Sequence, residues 1–213
     1  VILFYLHLLF LRKTYSIQSS KTLFQKLFDA GFWMGILFIL EPFSIVYFVL
    51  LYASIYIYQK ITLRTIFIPI IGFISPLILY FTYLFWYDRV EEFQQCFYFF
   101  TSYNLSIYAQ NIFLIPLILI GFFTIAAILL KTPKALSVKN TFRKSWLLII
   151  FNLLIASIFI ILLPEKKGVE LLFILFPISI IVANGLEMIL KNSIKDLALM
   201  LLLLCSFIFP FLW

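Results

Sequence analysis

The stretch Ile112–Leu130, with the sequence IFLIPLILIGFFTIAAILL, contains no charged residue. Its length is close to the ~20 apolar residues that an α-helix needs to cross the hydrocarbon core of a membrane. Strands of a membrane barrel would alternate apolar and polar residues, whereas these apolar residues are nearly continuous. Because backbone polar groups in lipid must be satisfied within their own segment, this pattern predicts a transmembrane helix.

The composition of the whole chain has the same character. Of its 213 residues, 65% are apolar and only 12% are charged, whereas soluble domains average about 25% charged residues. Lipid is therefore the expected solvent for most of the chain. The net charge of +7 comes largely from residues between the apolar runs. It predicts membrane orientation and contact with anionic lipid head groups, and no nucleic acid partner.

The apolar runs predict an all-α, polytopic membrane bundle with about eight hydrophobic segments, the first of them truncated. The runs are Val1–Leu11, Leu27–Leu40, Phe43–Tyr58, Ile66–Trp86, Ile112–Leu130, Trp146–Leu163, Leu171–Leu190 and Leu197–Trp213. Between the second and third runs, Glu41-Pro42 favours two antiparallel short helices over one continuous helix. The chain starts without methionine in a run too short to span. Residues 1–213 are therefore predicted to be a single transmembrane domain, the C-terminal part of a longer chain.

The basic residues separate into two sets of alternating loops if the chain crosses at every run. Thirteen of the 16 lysines and arginines fall in one set. Its loops are Arg12–Lys26, Gln59–Arg64, Lys131–Lys144 and Lys191–Asp196. The other set holds only Arg89, Lys166 and Lys167. The positive-inside rule places the first set in the cytoplasm, as in a bacterial inner-membrane protein.

The external stretch Val90–Asn111 differs from a plain span because its apolar residues recur at helical spacing. They are Phe93, Cys96, Phe97, Phe100, Tyr103 and Ile107. The pattern predicts an amphipathic helix in the outer interface, where aromatic side chains are favoured. A short re-entrant segment is the alternative.

The external acidic residues are the first candidate site. Glu41 lies at a predicted hairpin tip, and Asp88, Glu91 and Glu92 follow the fourth run together with Arg89. A carboxylate at a membrane surface can act as a general base or hold a divalent cation beside a phosphate, and an arginine can bind that phosphate. The alternative is that these are solvated loop residues at helix ends.

The other polar candidates are weaker. Lys166 and Lys167, with Glu165 and Glu170 nearby, could bind lipid phosphates as point charges or form a simple polar turn. No metal-binding, nucleotide-binding or nucleophile motif is present, so no cofactor is evident, and a divalent cation belongs only to an enzymatic interpretation.

Three further polar residues lie in or beside apolar runs. Glu187 could be functional, but its spacing from Lys191 predicts an ion pair one helical turn apart, and Asp29 has a similar spacing from Lys26. His7, the only histidine, is a candidate proton relay or a packed side chain.

Several segments resemble an uncharacterised family of multi-pass inner-membrane proteins of Bacteroidota. They are Arg12–Lys26, Lys26–Ala30 with Phe32-Trp33, Ile68–Phe73, and Glu170–Phe173 through Pro177 to Ala183-Asn184 and Glu187. The resemblance implies a further membrane region before Val1 and supplies no activity and no catalytic residues. The architecture also resembles, more weakly, polyprenyl-phosphate-dependent multi-span glycosyltransferases. Such enzymes commonly use an acidic residue in a first external loop, which here would precede Val1.

Three hypotheses for the function follow. The first is a cell-envelope scaffold or accessory subunit, with membrane lipids and other envelope membrane proteins as partners. The alternative is a glycosyltransferase-like enzyme, or an inactive relative, that acts on a polyprenyl-phosphate-linked sugar at the outer face. A transporter or flippase is third, because few ionisable residues fall at mid-membrane.

The predicted orientation can be tested with single cysteines introduced as Lys134→Cys and Lys166→Cys in a chain whose native cysteines are replaced by alanine. We expect a membrane-impermeant maleimide to label position 166 in intact spheroplasts and position 134 only after lysis, because the two loops belong to opposite sets. Labelling of both positions from the same side would contradict the orientation.

Overall fold

The computed structural model describes residues 2–99, 101, 104–137, 140–189, 193, 195–197 and 199–200, and within them all regular structure is helical. The α-helices are α1 (Ile2–Tyr15), α2 (Leu23–Leu40), α3 (Tyr47–Ile57), α4 (Leu63–Trp86), α5 (Val90–Gln95), α6 (Asn111–Ser137), α7 (Asn140–Leu162) and α8 (Leu171–Leu186). Short 3₁₀ turns occupy Ser16–Gln18, Pro42–Val46 and Ser106–Ala109. The predicted all-α class is confirmed.

Four helices in the described part of the chain are long and apolar enough to cross a membrane. They are Leu23–Leu40, Leu63–Trp86, Phe113–Ser137 and Asn140–Leu162. The apolar helices Pro42–Ile57 and Leu171–Leu186 are shorter, and most of the last predicted run, Leu197–Trp213, lies outside the described residues. The predicted count of about eight segments is therefore not supported, since continuous apolar sequence does not guarantee a full-length helix.

The chain divides into two compact units. The first unit contains Val1–Tyr103 and Leu154–Glu165, and the second contains Asn104–Leu153 and Lys166–Trp213. The predicted single transmembrane domain stays a prediction.

In the first unit, α2 and α4 meet backbone to backbone. A Cβ atom added at Gly31 would overlap the carbonyl oxygen of Pro69, and one added at Gly72 would overlap the carbonyl oxygen of Phe28. Small residues that let helix backbones approach closely are typical of membrane helix pairs, because lipid supplies no hydrophobic drive for association. The glycines therefore set the separation of α2 and α4.

The ends of these two helices follow from local sequence. The α4 helix begins after a reciprocal capping box between Thr62 and Thr65. The α2 helix ends at Leu40, and Glu41 is extended at φ −147°. The predicted break at Glu41-Pro42 is confirmed, since the following turn starts at Pro42.

The predicted amphipathic helix over Val90–Asn111 is wrong. Among the described residues of this segment, α-helix covers Val90–Gln95, a separate 3₁₀ turn follows at Ser106–Ala109, and Asn111 already begins α6. The residues between them are rich in Phe, Tyr, Ser and Asn, which have weak helix propensity. Tertiary packing replaces helical periodicity, because the Phe97 ring packs at a tilt against Phe38 with a ring-centroid distance of 5.6 Å.

The core of the second unit lies where α6 and α8 pack with the start of α7. Trp146 is 1% exposed, and its indole N–H donates a hydrogen bond of 3.3 Å to the hydroxyl of Thr132. Gly185 on α8 lies so close to Ala127 on α6 that an added Cβ would overlap it. Small residues thus set the helix separation in this unit as well.

Substitution of Gly31 tests the close contact between α2 and α4. We expect Gly31→Ala to destabilise the protein by about 1–3 kcal/mol, because the methyl group would force two backbones apart. Thermal unfolding in mild detergent measures the effect.

Gly121 supplies the matched control, since an added Cβ there meets no atom within 4 Å. Gly121→Ala should be neutral or stabilising by up to about 1 kcal/mol, because alanine is the better helix former. Equal melting temperatures for Gly31→Ala and the unsubstituted protein would refute the assigned contact.

Candidate functional site

A polar depression lies where α2 and α4 end, within the first unit. It has a volume of about 440 Å³. The residues that line it are Ile39, Pro42, Tyr80, Arg89, Glu92, Gln95 and Cys96. We call this feature the outer depression, in keeping with the predicted orientation. It brings together two predicted site residues, Arg89 and Glu92, and lies beside a third, Glu41, whose near neighbours Ile39 and Pro42 line it.

Arg89 and Glu92 are paired with each other. The guanidinium Nη2 and Nε atoms lie 2.5 Å and 2.6 Å from Glu92 Oε1. Both side chains are more than a third exposed, at 56% and 37%, so this contact adds little stability. It does fix the arginine at the rim of the depression, where its remaining N–H groups can meet an anion.

Glu41 has the most perturbed environment of the predicted carboxylates. Its backbone N–H donates to the carbonyl oxygen of Leu37 at 2.8 Å, and its carbonyl accepts from Ser44 at 3.0 Å. Burial raises the pKa of its half-buried carboxyl group, and a hydrogen bond from the Phe43 backbone opposes part of that rise. A carboxyl group with a raised pKa is suited to general acid–base chemistry.

Asp88 and Glu91 are exposed and do not line the depression. Asp88 adopts φ +55°, and the following Arg89 N–H bonds back to the Leu84 carbonyl at 2.9 Å. Asp88 therefore helps to end α4, which is the role of a loop residue at a helix end. Glu91 lies in the first turn of α5, where a negative charge is favourable.

Lys166 and Lys167 belong to the second unit, on a turn organised by Glu170. The Glu170 side chain is buried, with 7% of the residue exposed. It accepts a hydrogen bond from the Tyr108 hydroxyl and backbone N–H bonds from Lys167 at 3.2 Å and Gly168 at 3.0 Å. Gly168 has φ +86°, a conformation that glycine adopts without strain.

This network shifts two pKa values. Burial alone would raise the pKa of Glu170, but the hydrogen bonds from Tyr108 and the turn backbone lower it overall. Burial and the neighbouring Glu170 carboxylate raise the pKa of Tyr108.

The sequence pattern predicted Glu170 only as part of a polar turn. Its position two residues after a glycine and one before an apolar run was the available signal.

Of the two predicted local ion pairs, the Asp29–Lys26 pair is not the one formed, and the Glu187–Lys191 pair falls outside the described residues. Glu187 binds Lys131 on α6, with Nζ and Oε2 3.2 Å apart, while its predicted partner Lys191 lies outside the described residues. Asp29 binds Lys13 at 2.7 Å instead of Lys26. In both cases a cation on another helix binds the carboxylate.

His7, the last of the predicted candidates, is a buried side chain in the helix packing. His7 is 1% exposed, and its ring centroid lies 4.2 Å from that of Tyr47 and 5.9 Å from that of Phe10, so it is packed among aromatic side chains. Among the residues that the structure describes, no group of three or more His, Cys, Asp or Glu side chains is placed to hold a metal ion.

The structure has long apolar helices that pack closely at small residues, and its polar groups lie mainly at the helix ends. These features are those of an α-helical membrane protein. The chain belongs to the Family of unknown function (DUF6427), whose family model matches residues 1–212. No curated protein and no solved structure matches it. The resemblance to an uncharacterised family is thus confirmed at that level.

The Glu170 network predicts an acid-sensitive contribution to stability. We expect Glu170→Gln to lower the melting temperature at neutral pH, because a neutral amide replaces a carboxylate that accepts three hydrogen bonds. The pKa of Glu170 is lowered from 4.5 in the folded chain, so the carboxylate stabilises the fold above its unfolded pKa. That contribution disappears as the pH falls through the folded pKa.

Melting temperatures of the two proteins, measured in detergent from pH 7 downwards, check this prediction. The difference should be constant at neutral pH and should narrow below about pH 4.5. Glu165→Gln, an exposed carboxylate in the same loop, is the control. A difference that persists unchanged into acid would show that the lost contacts do not depend on ionised Glu170.

Proposed function

We propose that this chain is a scaffold or accessory subunit of a bacterial cell-envelope assembly, embedded in the inner membrane with its basic loops in the cytoplasm. The observation that favours this function is that ion pairs among the described residues connect separate helices. Membrane lipids and other envelope membrane proteins are the expected partners.

Two of these interactions connect separate helices. Lys13 and Asp29 join α1 to α2 at 2.7 Å. Lys131, which is 8% exposed, binds Glu187 and lies 5.4 Å from the ring centroid of Phe142. Ionisable groups within membrane proteins are costly unless they pair, so their use as cross-links is typical of a structural role. It also disfavours a transport function, which requires such groups to exchange partners.

The rigid contact between α2 and α4 supports the same proposal. Two helix backbones in contact at Gly31 and Gly72 cannot slide or separate without losing packing that lipid does not replace. A fixed helix pair is a suitable platform for other membrane helices.

For the orientation, we propose that the shorter helices Pro42–Ile57 and Leu171–Leu186 also cross the membrane. This number of crossings keeps the basic loops on one side.

The alternative is a glycosyltransferase-like enzyme, and the outer depression favours it. Arg89 at the rim could hold the phosphate of a polyprenyl-phosphate-linked sugar, and Glu41, with its raised pKa, could act as a general base. A divalent cation would be bound beside that phosphate. Asp88, Glu91, Lys166 and Lys167 have no assigned place in this arrangement.

Co-purification distinguishes these functions. We expect the tagged full-length protein, extracted from native membranes in mild detergent, to elute in a defined complex with other envelope membrane proteins. Chemical cross-linking before extraction should yield the same partners. Elution as a lone monomer, without cross-linked partners, would contradict the scaffold proposal.

Complementation of a deletion strain provides the second arm. Under the scaffold proposal, Glu41→Gln should complement as well as Glu91→Gln, an exposed carboxylate that serves as the matched control. Loss of complementation by Glu41→Gln alone, at unchanged protein abundance, would support the enzyme instead.

A further inference from the structure

A second polar pocket lies at the N-terminal end of α2, within the first unit. We call it the basic pocket. Its volume is about 230 Å³, which is room for several water-sized groups. The residues that line it are Arg12, Lys13, Ser16, Thr22, Gln25, Lys26 and Asp29. Three cationic side chains against one carboxylate give the pocket a net positive charge.

Two of the three cations are fixed by contacts within the protein. Lys13 is paired with Asp29 at 2.7 Å, which cancels one positive charge. The Lys26 ammonium donates to the carbonyl oxygens of Ser16 at 2.9 Å and Ser19 at 3.1 Å. An ammonium has three N–H donors, so Lys26 keeps one donor and its full charge. The walls of the pocket are therefore held in place before any ligand arrives, which lowers the cost of binding.

Arg12 is the cation that the fold leaves uncommitted. It is exposed, lines the pocket, and forms none of the ion pairs found among the described residues. Its guanidinium offers five N–H donors in a planar fork that matches the oxygens of a phosphate. Arg12 and Lys26 together provide two positive charges that form no ion pair with a carboxylate in the described part of the chain.

The N-terminal end of α2 also contributes positive electrostatic potential to the basic pocket. Thr22, the N-cap residue, is left-handed at φ +53° and makes no side-chain cap, and its hydroxyl donates to the Lys21 carbonyl at 2.7 Å. The first backbone N–H groups of an α-helix lack partners within the helix and carry partial positive charge. They add to the potential that the side chains already create.

We propose that the basic pocket binds one phosphate group, as a free anion or as the head-group phosphate of a lipid, with Arg12 as its principal ligand. The amide of Gln25, which also lines the pocket, supplies a further N–H donor of the kind that phosphate oxygens accept. This site is independent of the scaffold function, because it lies at the end of α2 opposite to Glu41.

The test uses the full-length protein purified in an uncharged detergent. One arm measures binding of inorganic phosphate by calorimetry. The other measures retention of phosphatidylglycerol by native mass spectrometry, with phosphatidylcholine as the reference lipid. We expect Arg12→Gln to weaken binding about tenfold, the loss expected for one charge-assisted contact.

Lys21→Gln is the matched control, because it removes the same charge from an exposed residue of the same loop that does not line the pocket. It should change binding less than twofold. Gln25→Glu, which introduces a negative charge into the pocket, should also weaken binding and covers the case in which the Arg12 variant fails to fold.

The two arms separate the sources of the phosphate. Specific retention of phosphatidylglycerol that inorganic phosphate does not displace would assign a lipid head group, and binding of inorganic phosphate alone would assign the free anion. No binding in either arm, or equal weakening by Arg12→Gln and Lys21→Gln, would overturn the proposal, since diffuse surface charge would then explain the affinity.

Discussion

The contact of α2 with α4 at Gly31 and Gly72 is the constraint on which the first unit depends. In water, a pair of apolar helices is held together by the expulsion of solvent, but lipid tails are as apolar as the helices themselves. What remains is van der Waals attraction, which falls off within fractions of an ångström as a gap opens. Only residues without side chains let the two backbones come close enough at these points. The position of α2, and of every group attached to its ends, follows from that contact.

Those ends carry opposite chemistry. The helix has 18 residues and is therefore roughly 27 Å long. Its N-terminal end holds the basic pocket, where the helix dipole adds positive potential to Arg12 and Lys26. Its C-terminal end precedes Glu41, where the negative end of the dipole disfavours an ionised carboxylate, in the same direction as the rise in pKa caused by burial. One rigid helix thus separates an anion-attracting pocket from a carboxyl group that is easier to protonate.

The sequence predicted what depends on neighbours along the chain and missed what depends on neighbours in space. The all-helical class and the break at Glu41-Pro42 depend on local properties, and both are found in the described part of the chain. The pairing of Asp29 was predicted at helical spacing, yet this carboxylate binds Lys13 on another helix. Glu187 also binds a cation on another helix, Lys131. The long amphipathic helix failed for the same reason, because Phe97 contacts Phe38 and does not follow the periodicity of its own segment. A partner far along the chain leaves no local pattern to detect.

The same distinction applies to the positive charges. A count of lysines and arginines treats all thirteen basic residues of the predicted inner loops alike, and that count is sufficient to predict orientation. In the structure, these basic residues differ in the contacts that their side chains make. Lys13 and Lys131 bind carboxylates on other helices, and Lys60 donates to the hydroxyl of Ser20 at 3.0 Å, so these three have partners within the protein. Arg12 forms no ion pair with the described carboxylates and faces a pocket with walls that are already fixed. If the basic loops face the cytoplasm, Arg12 lies at the level of the inner-leaflet phosphates, where an unpaired guanidinium costs the fold nothing and meets a high local concentration of anions.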